Sequence, residues 1–498
     1  MPQSQDFSTI LPITILIVWA CLLLLVDLFV PKGRKGVTAL LAALGLAATL
    51  GFTLSQIGRE PMTGFNSMVV LDGFSTFINA LLLISGMLGV ALAYGYVKRM
   101  DLERGEYYTL LLFSVIGMML MAQAADLIMV FLGLELLSIP LYVLAAFARP
   151  KAESEEAGLK YFLLGAFSAG FVVYGIALVF GATGTTSLAG ILPSASSGTL
   201  RLAQGGASNL LLTIGAALIL VGFGFKVAAV PFHMWTPDVY QGAPTPVTAF
   251  MAAGAKIAGF AALLRVFGSA LPSLAIDLTP VLVVLAALTM IVGNLLAISQ
   301  SDIKRMLAYS SIAHAGYILM AFVPFGNKDV LPVSIAAGLF YLVAYTFTNF
   351  GSWGIVIAME KADPSTGSGQ VANGLAISDY AGLGRKYPAL AAAMTVFMLS
   401  LIGLPPTLGL VGKFYLFRAV MSGGFVGLAL IGVLTSLISA YYYLRVVVTM
   451  YMRDGEPEVV SEPWLNLTWG AAAIVTVLLS FVPQFLFTWA STALLKLF

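Results

Sequence analysis

Gly222-Phe-Gly-Phe-Lys226-Val-Ala-Ala-Val-Pro231-Phe-His233 decides the reading of this chain. A lysine stands inside a long apolar run, and a proline follows five residues later. Proline removes a helical hydrogen bond and clashes with the carbonyl four residues back. Irregular backbone at membrane depth is tolerated only where protein or water covers it. An ionisable group there costs roughly 2.5–3.5 kcal/mol on insertion scales, so it faces a bundle interior or a water path. The pattern recurs in Gly403-Leu-Pro405-Pro406-Thr-Leu-Gly-Leu-Val-Gly-Lys413, where two prolines precede a lysine. Lys256 lies midway along a third apolar segment, and Glu135 sits in Val130-Phe-Leu-Gly-Leu-Glu135-Leu-Leu-Ser-Ile-Pro140. Four charged groups at depth, three of one sign, suggest a route for protons or ions.

Working outward, the composition fixes the class. Of 498 residues, 60% are hydrophobic and 10% charged, against roughly 25% charged in soluble domains. A spanning helix takes about 20 apolar residues. About fourteen segments meet that measure, near 10–30, 36–56, 74–97, 107–123, 126–147, 157–181, 207–229, 243–267, 277–299, 305–324, 331–359, 388–419, 424–449 and 465–492. The chain reads as an all-α polytopic membrane protein in the lipid bilayer. A barrel would need alternating strands of about ten residues, whereas these runs are apolar all round.

Several function classes are excluded. The net charge of +2 and the lack of a basic arm give no support for nucleic acid. Cys21 is the only cysteine, and an iron–sulfur cluster takes about four. His233 and His314 form no metal-ligand motif. No Gly-x-Gly-x-x-Gly or Walker sequence supports nucleotide binding, and the Gly/Ser-rich stretch 363–375 reads as a loop. The chain therefore carries no cofactor of its own, and any electrons travel elsewhere.

Charge placement orients it. Residues 1–9 carry Asp6 and no lysine or arginine, unlike a signal peptide. Lys32, Arg34 and Lys35 follow the first span, which makes that loop cytoplasmic and the N-terminus external. Alternating onward puts fifteen basic residues on the cytoplasmic side, Lys304, Arg305 and Lys361 among them, against six outside, including Arg59, Arg201, Arg265 and Lys496. Lys160, Lys226, Lys256 and Lys413 complete the 25. A missed helix early in the chain would scramble this bias, so both termini are expected outside. The two proline–lysine interruptions suggest a faint duplication, since paired breaks in two halves of a transporter point to the ion pathway. Residues 1–105 then hold three N-terminal helices, 106–267 and 277–450 the two repeats, and 451–498 a C-terminal helix.

The run Phe225–Tyr240, continuing through Phe250, resembles the signature of the antiporter-like membrane subunits of respiratory complex I. Phe131–Leu136, Ala157–Phe162, Ser301–Tyr317 and Leu404–Gly409 are further matches, so the resemblance spans about residues 70–420. Within that family the form Trp235-Thr-Pro-Asp-Val-Tyr240 is most similar to the N-type subunits of bacterial NADH–quinone oxidoreductase. The resemblance implies two inverted five-helix repeats flanked by extra helices, with helices 7 and 12 broken. It implies proton-path roles for Glu135 of helix 5, Lys226 of helix 7, Lys256 of helix 8, Lys413 of helix 12 and His314 of helix 10. Glutamate usual in M-type subunits is replaced by Lys413. Gln241 stands where relatives often carry glutamate. The implied partners are the other membrane-arm subunits, which would hold the flavin and iron–sulfur clusters, with quinone bound only at the level of the complex.

Physics supplies the mechanism such a path would use. Burial disfavours a charged lysine and a nearby carboxylate restores it, so Glu135 beside Lys226 would act as an electrostatic switch. Protons would enter from the cytoplasm, load Lys226, pass Lys256 and His314 through water, and leave near Lys413. Moving one charge against 100 mV costs about 2.3 kcal/mol. Plainer readings compete. Lys226 and Lys413 could snorkel to the interface, and Glu135 could be a helix–helix hydrogen bond. His233 reads equally as a cap or a relay. Lys160 reads as interfacial through an i,i+4 pair with Glu156, Asp126 and Asp302 as helix caps, Asp27 and Asp72 as headgroup-level groups, and Tyr441–Tyr443 as packing within the last helix pair. A subunit of a sodium/proton antiporter and a non-transporting scaffold of the membrane arm remain as alternative functions.

Overall fold

The computed structural model describes residues 4–191, 207–271, 274–361 and 374–493. Most of the Gly/Ser-rich stretch, with Arg201 and Lys496, lies outside them. The helices are α1 Ser4–Thr9, α2 Leu11–Asp27, α3 Gly36–Leu54, α4 Gly73–Arg99, α5 Glu106–Gln123, α6 Leu127–Ala145 and α7 Ala152–Thr183. They continue as α8 Ala207–Val227, α9 Trp235–Gly242, α10 Thr245–Phe250, α11 Lys256–Arg265, α12 Ala275–Ile298, α13 Ile303–Leu319 and α14 Leu331–Met359. The last six are α15 Leu383–Lys386, α16 Pro388–Ile402, α17 Leu408–Ser422, α18 Val426–Met452, α19 Pro463–Phe481 and α20 Pro483–Thr492. Among the described residues, eleven helical stretches are long and apolar enough to cross a membrane, and α2 and α16 are shorter apolar helices. The protein is a multi-pass membrane protein, as expected.

One element departs from an all-helical chain. Strand β1 Met62–Gly64 pairs antiparallel with β2 Val69–Leu71. Phe65, Asn66 and Ser67 turn between them with positive φ. Six strand residues are too few to show against the apolar background.

Helix starts follow local chemistry. Asp72 caps α4 by accepting from Ser75 N at 2.8 Å, and the Ser75 hydroxyl accepts from Asp72 N at 2.9 Å, a reciprocal capping box. Asp126 caps α6 through Ile128 N, and Asp302 caps α13 through Arg305 N, both at 2.8 Å. Both were read as caps. Each also sits in a short bridge to a distant loop, Asp126 to Ser187 and Asp302 to Ala376. Nine residues before each aspartate stands a glycine, Gly117 and Gly293. A Cβ on Gly117 would lie 2.2 Å from Leu137 N, and one on Gly293 2.6 Å from Ala313 N, so only glycine lets α5 meet α6 and α12 meet α13 this closely.

Residues 245–267 are all buried by their neighbours. They form the central helix of the bundle, and its hydrogen-bonding widens into π-turns at Met251–Ala255 and Val266–Ala270. The first immediately precedes Lys256. Single π-turns inside α-helices occur often at functional sites.

Asp72 and Asp27, read as groups at headgroup level, stand at helix ends, and both are buried against neighbouring helices. Arg265 and Asp72 are both fully buried and pair at 2.8 and 3.0 Å, with Arg265 Nη2 also donating to Ala122 O at 2.9 Å. The pair ties the far end of α11 to the start of α4. Asp27 is likewise buried and pairs with Lys35 at 2.8 Å.

Candidate functional site

The break after α8 is held open by protein groups. Ala228 adopts φ 62°. Carbonyls left open where α8 ends are taken up again: Ala229 N donates to Gly224 O at 2.8 Å and Trp235 Nε1 to Phe225 O at 3.0 Å. Val230 N donates to Thr289 Oγ1 at 2.9 Å. Lys226, in the last turn of α8, is 3% exposed, so its ammonium does not snorkel. It donates to Ser138 Oγ at 2.7 Å and lies 5.4 Å from the ring centre of Tyr161. Ser138 in turn donates to Leu134 O.

The expected Glu135–Lys226 contact is replaced by this serine. Glu135 is half-buried one turn before Ser138 on α6 and within electrostatic range of Lys226 without pairing with it. Its Oε1 has no hydrogen-bond partner among the described residues, which removes the helix–helix hydrogen-bond reading for that atom.

Lys256 is 1% exposed. Its ammonium donates to Ser311 O and, at 2.5 Å, to Ser311 Oγ. Tyr345 OH donates to the same Oγ at 2.8 Å. Gly259, one turn on, leaves room for Lys226: a Cβ there would lie 2.9 Å from Val227 Cγ1 and 3.4 Å from Lys226 Cγ. An aromatic series joins the two lysine pockets. Tyr161 stacks on Trp235 at 4.6 Å, Trp235 meets Tyr240 edge-on at 6.0 Å, and Tyr240 reaches Ser311.

Lys413 occupies the second break. α16 ends at Gly403 with φ 91°, a left-handed stop that glycine adopts without strain. Lys413 Nζ donates to Leu401 O at 3.0 Å and Ile402 O at 2.9 Å, satisfying terminal carbonyls where the helix dipole favours a cation. It also donates to Ser436 Oγ at 2.9 Å and stands 4.3 Å over the Tyr317 ring.

His314 lies between these lysines. Its Nδ1 shares a hydrogen bond with Tyr341 OH at 2.6 Å and its Nε2 with Tyr443 OH at 3.1 Å. Its ring also meets Tyr317 at 5.6 Å and Tyr345 at 5.4 Å. From Tyr317 the network runs to Thr435, Ser436, Asn294 and Tyr442. The structure thus brings Lys256, His314 and Lys413 into one polar core, with Lys226 adjoining and Glu135 at its edge. His233 is not drawn in: its Nδ1 has no hydrogen-bond partner among the described residues.

Nothing in the sequence singled out the tyrosines. Tyr442 and Tyr443 were read as packing, and only Tyr441 faces outward. The available signal was spacing: His314 and Tyr317 are i,i+3 on α13, and Tyr341 and Tyr345 are i,i+4 on α14, so each pair shares a helix face.

At the expected cytoplasmic end, Lys160 pairs with Glu156 at 2.7 Å as read, and also with Asp238 at 2.7 Å. Arg305 Nη1 donates to Asp238 at 2.8 Å and to Gln241 Oε1 at 2.9 Å. Burial works against the charge of Asp238, and the hydrogen bonds from Lys160 and Arg305 outweigh it, so its carboxyl is held below the ordinary value.

Three buried ammonium groups, each held by a serine, with His314 and its tyrosines between Lys256 and Lys413, make the polar core of a multi-pass membrane protein. Residues 124–439 match the family described as NADH:quinone oxidoreductase/Mrp antiporter, transmembrane. The chain is similar to an NADH-quinone oxidoreductase subunit N of Trichlorobacter lovleyi, 48% identical over 95% of this chain and 93% of that protein. It is similar to a chain of the respiratory complex I of Thermus thermophilus, solved with bound aureothin: TM-score 0.79, 36% identity, 96% of this chain and 99% of that one. An Mrp complex chain from a Dietzia species shares the fold at TM-score 0.82 and 20% identity, over 98% and 96%. The chain belongs to the NADH:quinone oxidoreductase/Mrp antiporter transmembrane family, and the resemblance read from its sequence is borne out.

Proposed function

We propose that this chain is a proton-translocating membrane subunit of an NADH:quinone oxidoreductase. The relatives named subunit N and the complex I chain support the assignment to that assembly. The carrying observation for transport is the buried axis itself. Lys226, Lys256 and Lys413 are each at most 3% exposed and each bound to a serine, and Tyr345, Tyr317 and His314 lie between Lys256 and Lys413, with Lys226 adjoining. Such groups are costly in a membrane and mark ion pathways. A scaffold would have no use for three of them. Glu135, without contact to Lys226, acts through space, and Ser138 carries the hydrogen bond. His233 is the weakest member of the set, and a role as backbone support in the break accounts for its position.

The chain works without a cofactor. Flavin and iron–sulfur clusters belong to partner subunits, and quinone reduction there drives this path through a neighbouring membrane-arm subunit. Fourteen spans follow when α2, α13 and α16 are added to the eleven long stretches. Two inverted repeats, near 106–267 and 277–450, accord with several correspondences. Glu135 and Ser138 stand nine and twelve residues after Asp126, and Ser311 and His314 stand nine and twelve after Asp302. Both termini then lie on the periplasmic side of the bacterial plasma membrane.

Lys226→Ala in membrane vesicles tests the reading. Proton pumping should fall while the complex still assembles, and pumping by the parent should not depend on sodium. Unchanged pumping removes the lysine switch, and sodium-dependent transport favours the antiporter alternative.

A further inference from the structure

The two proline breaks are joined by a route that avoids the central lysine. It runs along α12, which carries none of the charged residues of the lysine axis. At one end is Val230, in the break after α8 and four residues beyond Lys226. Its N–H donates to the Thr289 hydroxyl at 2.9 Å, and that hydroxyl donates to Leu285 O at 2.5 Å. Val230 and Thr289 are both buried, so the N–H depends on this hydroxyl for its partner. At the other end is Asn294, also buried, with both halves of its amide in use. Nδ2 donates to Met290 O at 2.7 Å and to Tyr317 OH at 3.4 Å, and Oδ1 accepts from Tyr442 OH at 2.9 Å. The Tyr317 hydroxyl also accepts from Ser436 Oγ at 3.1 Å, and Ser436 holds the Lys413 ammonium at 2.9 Å. Lys413 ends the series on Leu401 O and Ile402 O, at the second break.

The stretch between these two side chains is stiff. Thr289 and Asn294 lie five residues apart in unbroken helix. That spacing is about 7.5 Å along the axis and about 140° around it, so the two leave different sides of α12. One binds the break after α8, and the other binds α13 and α18. Two glycines clamp the same stretch against α13. A Cβ on Gly293 would lie 2.6 Å from Ala313 N, and one on Gly316 2.7 Å from Met290 N. Backbone meets backbone at both positions, and packing of this density transmits a displacement instead of absorbing it. Thr289 and Asn294 are the two fully buried polar side chains of α12. Apolar residues would fill a buried helix without a polar group to satisfy, yet each of these two holds the network of a broken segment.

We propose that Thr289 and Asn294 are positioning residues that make α12 a rigid link between the two breaks. A displacement of the segment after Lys226 is carried along it to the Lys413 pocket without passing through Lys256. Neither residue relays a proton; together they hold Val230 and Tyr317 in a fixed relation. Coupling between two sites is reciprocal, so a change at the Lys413 end is felt at the break after Lys226 as well. The use of the link in transport rests on the proton-path reading of Lys226 and Lys413.

The test is amide hydrogen exchange on the whole complex in lipid nanodiscs, with proton pumping per NADH oxidised followed in membrane vesicles. Thr289→Val removes the hydroxyl and leaves the Val230 N–H unpaired. Exchange over 228–235 should quicken roughly 5- to 150-fold, the reach of about 1–3 kcal/mol for a buried donor without a partner. Exchange over 401–409, at the distant break, should quicken by roughly 5-fold or more, and pumping should fall. Asn294→Leu should give the mirror image, faster at 401–409 and also at 228–235. Thr289→Ser keeps the hydroxyl and should restore the parent's exchange at both breaks. Changes confined to each variant's own break would show two separate clamps and overturn the proposal. Reciprocal changes with full pumping would show a link that transport does not use, and overturn it too. Full pumping by Lys226→Ala would instead overturn the lysine path, and the link's part in transport with it. If Asn294→Leu does not assemble, Tyr317→Phe cuts the same series at its hydroxyl: faster exchange over 228–235 supports the link, and parent-like exchange there overturns it.

Discussion

Arg265→Met should be among the most damaging substitutions in the chain, although it touches none of the lysines on the proposed path. The guanidinium makes two hydrogen bonds to Asp72, at 2.8 and 3.0 Å, and one to Ala122 O at 2.9 Å, with both side chains fully buried. Methionine fills much of the volume but leaves the Asp72 carboxylate without its counter-charge. Breaking a buried pair by removing one partner costs about 3–5 kcal/mol, a loss of roughly two to three and a half decades in folded population. Asp72 also caps α4, and asparagine caps nearly as well as aspartate. The double variant Arg265→Met/Asp72→Asn should therefore recover most of the loss, because no buried charge remains. Thermal unfolding of the purified complex in detergent, with assembly read on a native gel, measures both. Arg265 lies on the same helix as Lys256, nine residues on, so the single variant should also lower pumping by loosening Lys256 from Ser311. A single variant as stable as the parent, or a double variant no better than the single, would refute the argument.

Two further predictions follow from close contacts at either end of Lys226's surroundings. Gly259→Ala places a methyl group 2.9 Å from Val227 Cγ1 and 3.4 Å from the Lys226 stem. Overpacking of about 1–3 kcal/mol should exceed the helix-propensity gain of about 1 kcal/mol, so melting temperature and pumping should both drop; parent-like values for both would contradict the close approach. Asp238→Asn should loosen the junction of α7, α9 and α13 at neutral pH, read as faster hydrogen exchange over 151–160 and 235–242. Because the folded carboxyl is held below its ordinary value, its contribution is present above the unfolded value of about 4 and fades as pH falls through the lower folded value. The difference between parent and variant should therefore vanish in acid, and a difference that persists there would show that charge is not its source.

What was legible in the sequence was whatever membrane burial makes expensive. Lys226, Lys256 and Lys413 stood out because the run around each is apolar, and the structure encloses all three. The breaks at Pro231 and Pro405–Pro406 were legible because proline cannot continue a helix. Asp126 and Asp302 were legible as caps because each precedes an apolar run. Partners were not. Ser138 and Ser311 are small polar residues common in membrane helices, and nothing local shows which of them will meet a lysine 88 or 55 positions away. Tyrosine is ambiguous for the same reason, since its ring packs like an apolar group and its hydroxyl matters only once a neighbour such as His314 is known. Arg265 was obscured by position: it closes an apolar segment, where exposure to headgroups is the simplest assumption. Only packing against α4 shows that it is inside.

The central claim is that protons pass along the lysine axis, and Lys256 is its middle. The direct measurement is proton pumping per NADH oxidised in membrane vesicles, parent against Lys256→Ala, with an intact complex verified on a native gel. The account predicts that the assembled variant loses pumping and coupled turnover. Full pumping by an intact Lys256→Ala complex would contradict it and make the buried lysine, with its Ser311 and Tyr345 partners, an element of structure alone.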